Sequence, residues 1–246
     1  MKLLPIALVA SLASPAFAFD LNAMSDAERE TFRAEIRAYL LENPEVIAEA
    51  IEVLQARQVA DEAQADVKLV RANADDLFSD GYSFIGGNPD GDVTVVEFID
   101  YRCGYCRKAH SQVEELLKSD GNIRYVVKEF PILGDQSVLA SRFAIAALQT
   151  AGTDAYAKIN AGFYESFRGD VTPETLIAFA ADLGLDGQAI VAAMDAPEVT
   201  KVIEENHLLA QRMRISGTPT FVFGDQMLRG YAPIDHMRDL TAAARG

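Results

Sequence analysis

The chain of 246 residues holds two cysteines, Cys103 and Cys106, separated by two residues. A disulfide stabilises by closing a loop, and its gain grows with the logarithm of loop length. A bridge across two residues is too short to hold a fold together, so the chain must fold by burying apolar side chains. Half of its residues are hydrophobic, enough to fill such a core. The cysteine pair is then explained by reactivity rather than by stability.

The flanking pattern places the pair at a strand-to-helix junction. Val93 to Ile99 is an apolar run of strand length and ends at Tyr101-Arg102-Cys103. Ala109, Val113, Leu116 and Leu117 follow at helical spacing up to Gly121, and Ile123 to Val127 reads as another strand. Strand, helix, strand predicts a parallel βαβ unit with a right-handed crossover. Tyr82 to Ile85 predicts a preceding strand, joined to the next by a turn over Gly86-Gly87-Asn88-Pro89-Asp90-Gly91. Residues from about 136 to 214 carry repeated helical patterns and predict an all-helical insertion. Strand signals return at Pro219 to Phe223 and Met227 to Arg229, before a last helix from about Pro233. The expected class is α/β.

Met1-Lys2, the apolar run Leu3 to Leu12 and Ala16-Phe17-Ala18 have the order of a secretory signal peptide over residues 1–18, with the mature chain beginning near Phe19. Ser25 and Glu28 form a capping box for a first helix to about Leu41. Asn43-Pro44-Glu45 predicts a second start, with Asn43 as its cap. Residues 56–74 keep helix formers but few large apolar ones, predicting an exposed helix or linker. Residues 19–78 are thus expected to form a helical extension that packs on its own domain or assembles with copies of itself, and 79–246 the main domain. A net charge of -15 argues against nucleic acid or an anionic membrane surface as partner.

At the start of a helix, Cys103 meets unpaired backbone N–H groups that favour a thiolate, and Cys106, one turn on, would resolve a mixed disulfide. A C-x-x-C pair is also half of a zinc site. The only histidines, His110, His207 and His236, are scattered, so no metal site is expected, and His110 is expected on the helix surface. Glu97 falls inside an apolar strand, where a carboxylate is costly without a task. Burial would raise its pKa and suit it to shuttle protons for Cys106; Asp100, at the strand's end, is a weaker candidate. Pro219 cannot donate to a ladder and suits a strand start.

Val96-Glu97-Phe98, the cysteine pair, the helical insertion and Gly217-Thr218-Pro219-Thr220-Phe221 together resemble the DsbA family of periplasmic disulfide oxidoreductases. The resemblance implies a thioredoxin-like fold, Cys103 as nucleophile, Cys106 as resolving cysteine, Glu97 as buried acid and Pro219 as a cis-proline facing the disulfide. Thr218, with Gly104 and Tyr105, would meet the client. It implies no cofactor beyond the Cys103–Cys106 disulfide, exported client proteins, a membrane redox partner and a periplasmic location. The segment Tyr39 to Ile47 is similar to the N-terminal extension of ScsC proteins, which drives oligomerisation in some relatives. The best known oxidases carry Cys-Pro-His-Cys; without that histidine the Cys103 thiolate loses one stabilising group, for which Arg102, Arg107 and Lys108 are expected to compensate in part. Cys-Gly-Tyr-Cys also resembles the isomerase DsbC. Disulfide formation and isomerisation both remain open, and the alternative is a chaperone-like or copper-binding module without turnover.

Overall fold

The computed structural model describes residues 23–246, so the signal peptide expected over residues 1–18 lies outside the described residues. The chain divides into two compact units, residues 1–58 and 59–246.

The described part of the first unit is helical. Helix α1 (Asp26–Glu42) starts as expected, with the Ser25 side chain accepting from the Glu28 N–H and the Glu28 carboxylate accepting from the Ser25 N–H at 2.8 Å. Helix α2 (Glu45–Ala72) follows after two residues. Asn43 does not cap it: the Asn43 side-chain amide donates to the Tyr39 carbonyl at 2.9 Å and closes α1 instead. In α1, Phe32, Ile36 and Tyr39 share one face and are exposed, as are Ile47, Ile51 and Leu54 on α2.

The second unit begins at Val59, inside α2, twenty residues before the expected boundary at 78/79. Val70 is buried in its core, as is Leu77 of the short helix α3 (Ala74–Phe78). Arg229 forks onto both oxygens of Asp66 on α2. The reading of 56–74 as exposed helix or linker therefore fails over its second half, because two or three large apolar side chains in an otherwise polar stretch suffice to seat one helical turn.

Five strands form one mixed sheet in the order β1-β3-β2-β4-β5: β1 (Phe84–Gly87), β2 (Val93–Ile99), β3 (Ile123–Glu129), β4 (Thr220–Phe223) and β5 (Gln226–Arg229). β2 and β3 are parallel, in register from Val93 opposite Ile123 to Ile99 opposite Glu129, and α4 (Gly104–Asp120) connects them. β4 pairs antiparallel with β2, which brings Thr220 opposite Phe98. Gly87 ends β1 at φ +65°, where a Cβ would sit 2.4 Å from the Ile123 carbonyl oxygen. Gly121 closes α4 in the left-handed region.

The insertion consists of α5 (Asp135–Ala151), α6 (Thr153–Glu165), α7 (Pro173–Asp182), α8 (Gly187–Ala193) and α9 (Pro197–Arg212), and α10 (Ile234–Arg245) ends the chain. One core lies beneath α4 and extends into the insertion through Phe143, Tyr156 and Phe163; the other, with Val70, Leu77, Val96 and Phe98, lies on the opposite face of the sheet. β2 is buried on both faces, which is why it reads as a continuous apolar run.

Candidate active site

Cys103 is the N-cap residue of α4, and its Sγ accepts from the Cys106 N–H at 3.4 Å. Its own N–H is held by the Asp100 carbonyl at 3.1 Å. Both cysteines are unbonded thiols and both are buried. The Cys103 thiol also donates to the Thr218 carbonyl at 3.2 Å, so the loop before β4 lies against the sulfur. The Thr218–Pro219 peptide is cis. The sequence-predicted residues Cys103, Cys106, Thr218 and Pro219 therefore converge at one end of the sheet.

The two sulfurs differ in acidity. The Cys106 thiol, the Thr218 side chain and the backbone N–H groups of Cys106 and Tyr105 bring Cys103 down to about 5, against the opposing effect of burial. Cys106 moves the other way: burial raises it, as do its hydrogen bond to Cys103 and the charge of Glu97. Arg102, Arg107 and Lys108 do not supply the stabilisation expected of them. Arg102 donates to the Gly169 carbonyl at 2.9 Å, Arg107 to the Tyr164 carbonyl, and the Lys108 ammonium lies 4.1 Å from the centre of the Tyr231 ring.

Glu97 is 3 % exposed, in the middle of β2. Burial pushes its carboxyl up to about 8, against the hydrogen bond donated by the Tyr125 hydroxyl and with a smaller push from Cys103. The charge of Glu97 in turn acts on Cys106. Gly104 and Tyr105 form the exposed rim: a Cβ at Gly104 would meet open space, and Tyr105 is 64 % exposed.

Asp100 has a different task from the proton transfer considered for it. One oxygen accepts from the Arg102 N–H at 2.7 Å and the Ser137 hydroxyl at 2.8 Å, and the other from the N–H groups of Ile132 at 2.8 Å and Leu133 at 3.1 Å. With four donors satisfied, it fixes the cysteine loop to the start of α5. Sequence reasoning missed Glu129, another buried carboxylate, which accepts from Tyr101 at 2.7 Å, Tyr156 at 2.5 Å and Ser141 at 2.7 Å and whose pKa burial raises to about 7. It also missed Lys128, fully buried and paired with Asp80. The signal was the one that singled out Glu97, a charge inside an apolar strand; ending that strand at Val127 hid both.

His110 is not a surface residue. Its ring lies 5.1 Å from that of Tyr164 on α6, and its side chain is 12 % exposed.

The thioredoxin family matches residues 79–241, and the N-terminal domain of copper resistance protein ScsC matches residues 28–60. A thioredoxin-like oxidoreductase from Silicibacter pomeroyi is 39 % identical, with a TM-score of 0.64 over 70 % of this chain and 96 % of that one. Salmonella enterica Typhimurium BcfH is 29 % identical, with a TM-score of 0.73 over 89 % of this chain and 97 % of its own. The Na(+)/H(+) antiporter NhaA of Herminiimonas arsenicoxydans is 31 % identical over 147 residues, 59 % of this chain and 23 % of that protein, so the chain spans about a quarter of the length of the curated relatives it matches first. Among the described residues no helix is long and apolar enough to cross a membrane. The chain belongs to the thioredoxin family, and ahead of the thioredoxin region it carries a segment similar to the N-terminal domain of ScsC.

Proposed function

We propose that the protein is a thiol-disulfide oxidoreductase of exported proteins and that its principal reaction is disulfide isomerisation. The opposed acidities of Cys103 and Cys106 carry the first half of this reading. The Cys103 thiolate attacks one sulfur of a client disulfide; the client S–S bond breaks, a client thiolate leaves, and a mixed disulfide forms on Cys103. That thiolate attacks another client disulfide and frees a different client thiolate, which attacks the client sulfur bonded to Cys103 and returns the electron pair to Cys103; or Cys106 gives its proton to Glu97 and attacks Cys103, expelling the client thiolate and leaving the Cys103–Cys106 disulfide. Thr218 and Pro219 present backbone to the client, and Gly104 leaves room for it beside Tyr105.

The exposed apolar faces of the first unit support the isomerase direction. Phe32, Ile36 and Tyr39, and Ile47, Ile51 and Leu54, recur at helical spacing without cover. Assembly through them with copies of the chain would set several thiols around one client. A periplasmic location, as expected from the sequence, suits client disulfides; a membrane redox partner would reoxidise the pair for net oxidation or reduce the Cys103–Cys106 disulfide that escape through Cys106 leaves.

The test is reactivation of scrambled, fully oxidised ribonuclease in a glutathione buffer, comparing the native chain with the variant I47E/I51E/L54E. Substitution is preferable to a cut before Tyr82, which would strip Val70 and Leu77 from the core. Reactivation that falls at least tenfold in the variant while reduced ribonuclease is still oxidised supports an assembled isomerase. No reactivation by either chain, with normal oxidation of reduced ribonuclease, overturns it in favour of an oxidase.

A further inference from the structure

His110 lies on α4, one turn beyond Cys106, and its Nε2 is buried without a hydrogen-bond partner. It is the sole buried side-chain nitrogen or oxygen so placed among the described residues. Two carboxylate oxygens face it: Oε1 of Glu114, on the same helix, at 3.5 Å, and Oε1 of Glu165, the last residue of α6, at 3.6 Å. These separations exceed the roughly 2.7–3.2 Å of an N–H···O bond. They match a shared cation. Zinc binds imidazole nitrogen at about 2.0–2.1 Å and carboxylate oxygen at about 2.0–2.2 Å, which in a tetrahedron puts donor atoms about 3.3–3.5 Å apart. All three donor atoms lie within 4.8 Å of one another, and both glutamates are more than half exposed, free to close the third edge.

We infer that His110, Glu114 and Glu165 form a site for a divalent first-row cation, with zinc the best fit. One neutral imidazole and two carboxylates suit borderline cations rather than the softer ions that thiolates select. Two negative charges balance the ion, and three protein donors leave a fourth position for water. Tyr164 orients the imidazole ring, and its own hydroxyl donates to the Asp100 carbonyl at 3.4 Å. A bound ion therefore ties the helix that carries the cysteines to the insertion, through groups that take no part in thiol exchange.

The experiment uses the full chain carrying Cys103→Ser and Cys106→Ser, which removes the thiols as competing ligands. The metal-free protein is titrated with zinc by calorimetry, and with cobalt(II) by visible absorption. One zinc per chain is expected, with cobalt(II) giving d–d bands and no thiolate charge-transfer band. Glu114→Gln and Glu165→Gln, at exposed positions that do not threaten folding, should each weaken zinc at least tenfold, and His110→Gln should abolish the site. Absence of stoichiometric zinc binding, or binding unchanged in both glutamate variants, overturns the inference and leaves the His110 ring flanked by two carboxylates without an ion.

Discussion

Lowering the pH should cost the reduced protein stability that the disulfide form does not lose. In the folded reduced state Cys103 ionises at about 5, from an ordinary 9.0. A thiolate favoured by folding stabilises the fold in full above the unfolded pKa, and that contribution is lost as pH falls through the folded pKa. At pH 7.5 the folded sulfur is ionised and the unfolded one is not; at pH 4.5 both are thiols. At about 1.36 kcal/mol per pKa unit, the interval amounts to roughly 3 kcal/mol. The sulfur lies beside the open rim at Gly104, so solvent screening halves this to about 1.5 kcal/mol. The disulfide form has no thiol to titrate, and loop-closure entropy does not depend on pH. The measurement is guanidinium unfolding of both forms at pH 7.5, 6.0 and 4.5. The reduced-minus-oxidised stability should fall by about 1.5 kcal/mol, while thiolate absorbance near 240 nm titrates well below the range of an ordinary thiol. A difference flat with pH, with a midpoint at the free-thiol value of about 8.5, would refute the assignment.

Glu97→Gln keeps the Tyr125 contact but removes the proton acceptor. Mixed disulfides between Cys103 and a model peptide should resolve through Cys106 at least tenfold more slowly, and the rise of that rate toward pH 8 should vanish, as read by quenched-flow mass analysis. Arg229→Ala would strand the Asp66 carboxylate against β5 and should cost about 1–3 kcal/mol in chemical unfolding, with exchange activity per folded molecule unchanged.

The sequence carried the βαβ unit, the insertion and the cysteine junction because each rests on local periodicity: β2 reads as apolar on both faces, and α4 ends on a glycine that only a left-handed cap explains. It carried Glu97 because a lone carboxylate in that run has no bland explanation. It did not carry Asp100 as an anchor, because its four donors come from residues two to thirty-seven positions away. Nor did it carry His110 with Glu165, since only the packing of α6 on α4 brings them together. Asn43 was misassigned because an asparagine between two helices is an equally good partner for the end of one and the start of the next.

The acidity of Cys103 also bears on which way a mixed disulfide resolves. In thiol-disulfide exchange the thiol of lower pKa leaves faster. Cys103, at about 5, is a far better leaving group than an ordinary client cysteine near 8.5. Attack by a second client thiolate on the client sulfur therefore releases Cys103 readily and yields a new client disulfide. Attack by Cys106 must first remove a proton from a thiol that burial holds, and must then expel the poorer leaving group. The chemistry thus disfavours net reduction of clients and favours forming or moving their disulfides. Between those two outcomes the deciding quantity is the redox state at the start of the cycle, because only a protein that meets its client with Cys103 already free can rearrange a wrong disulfide.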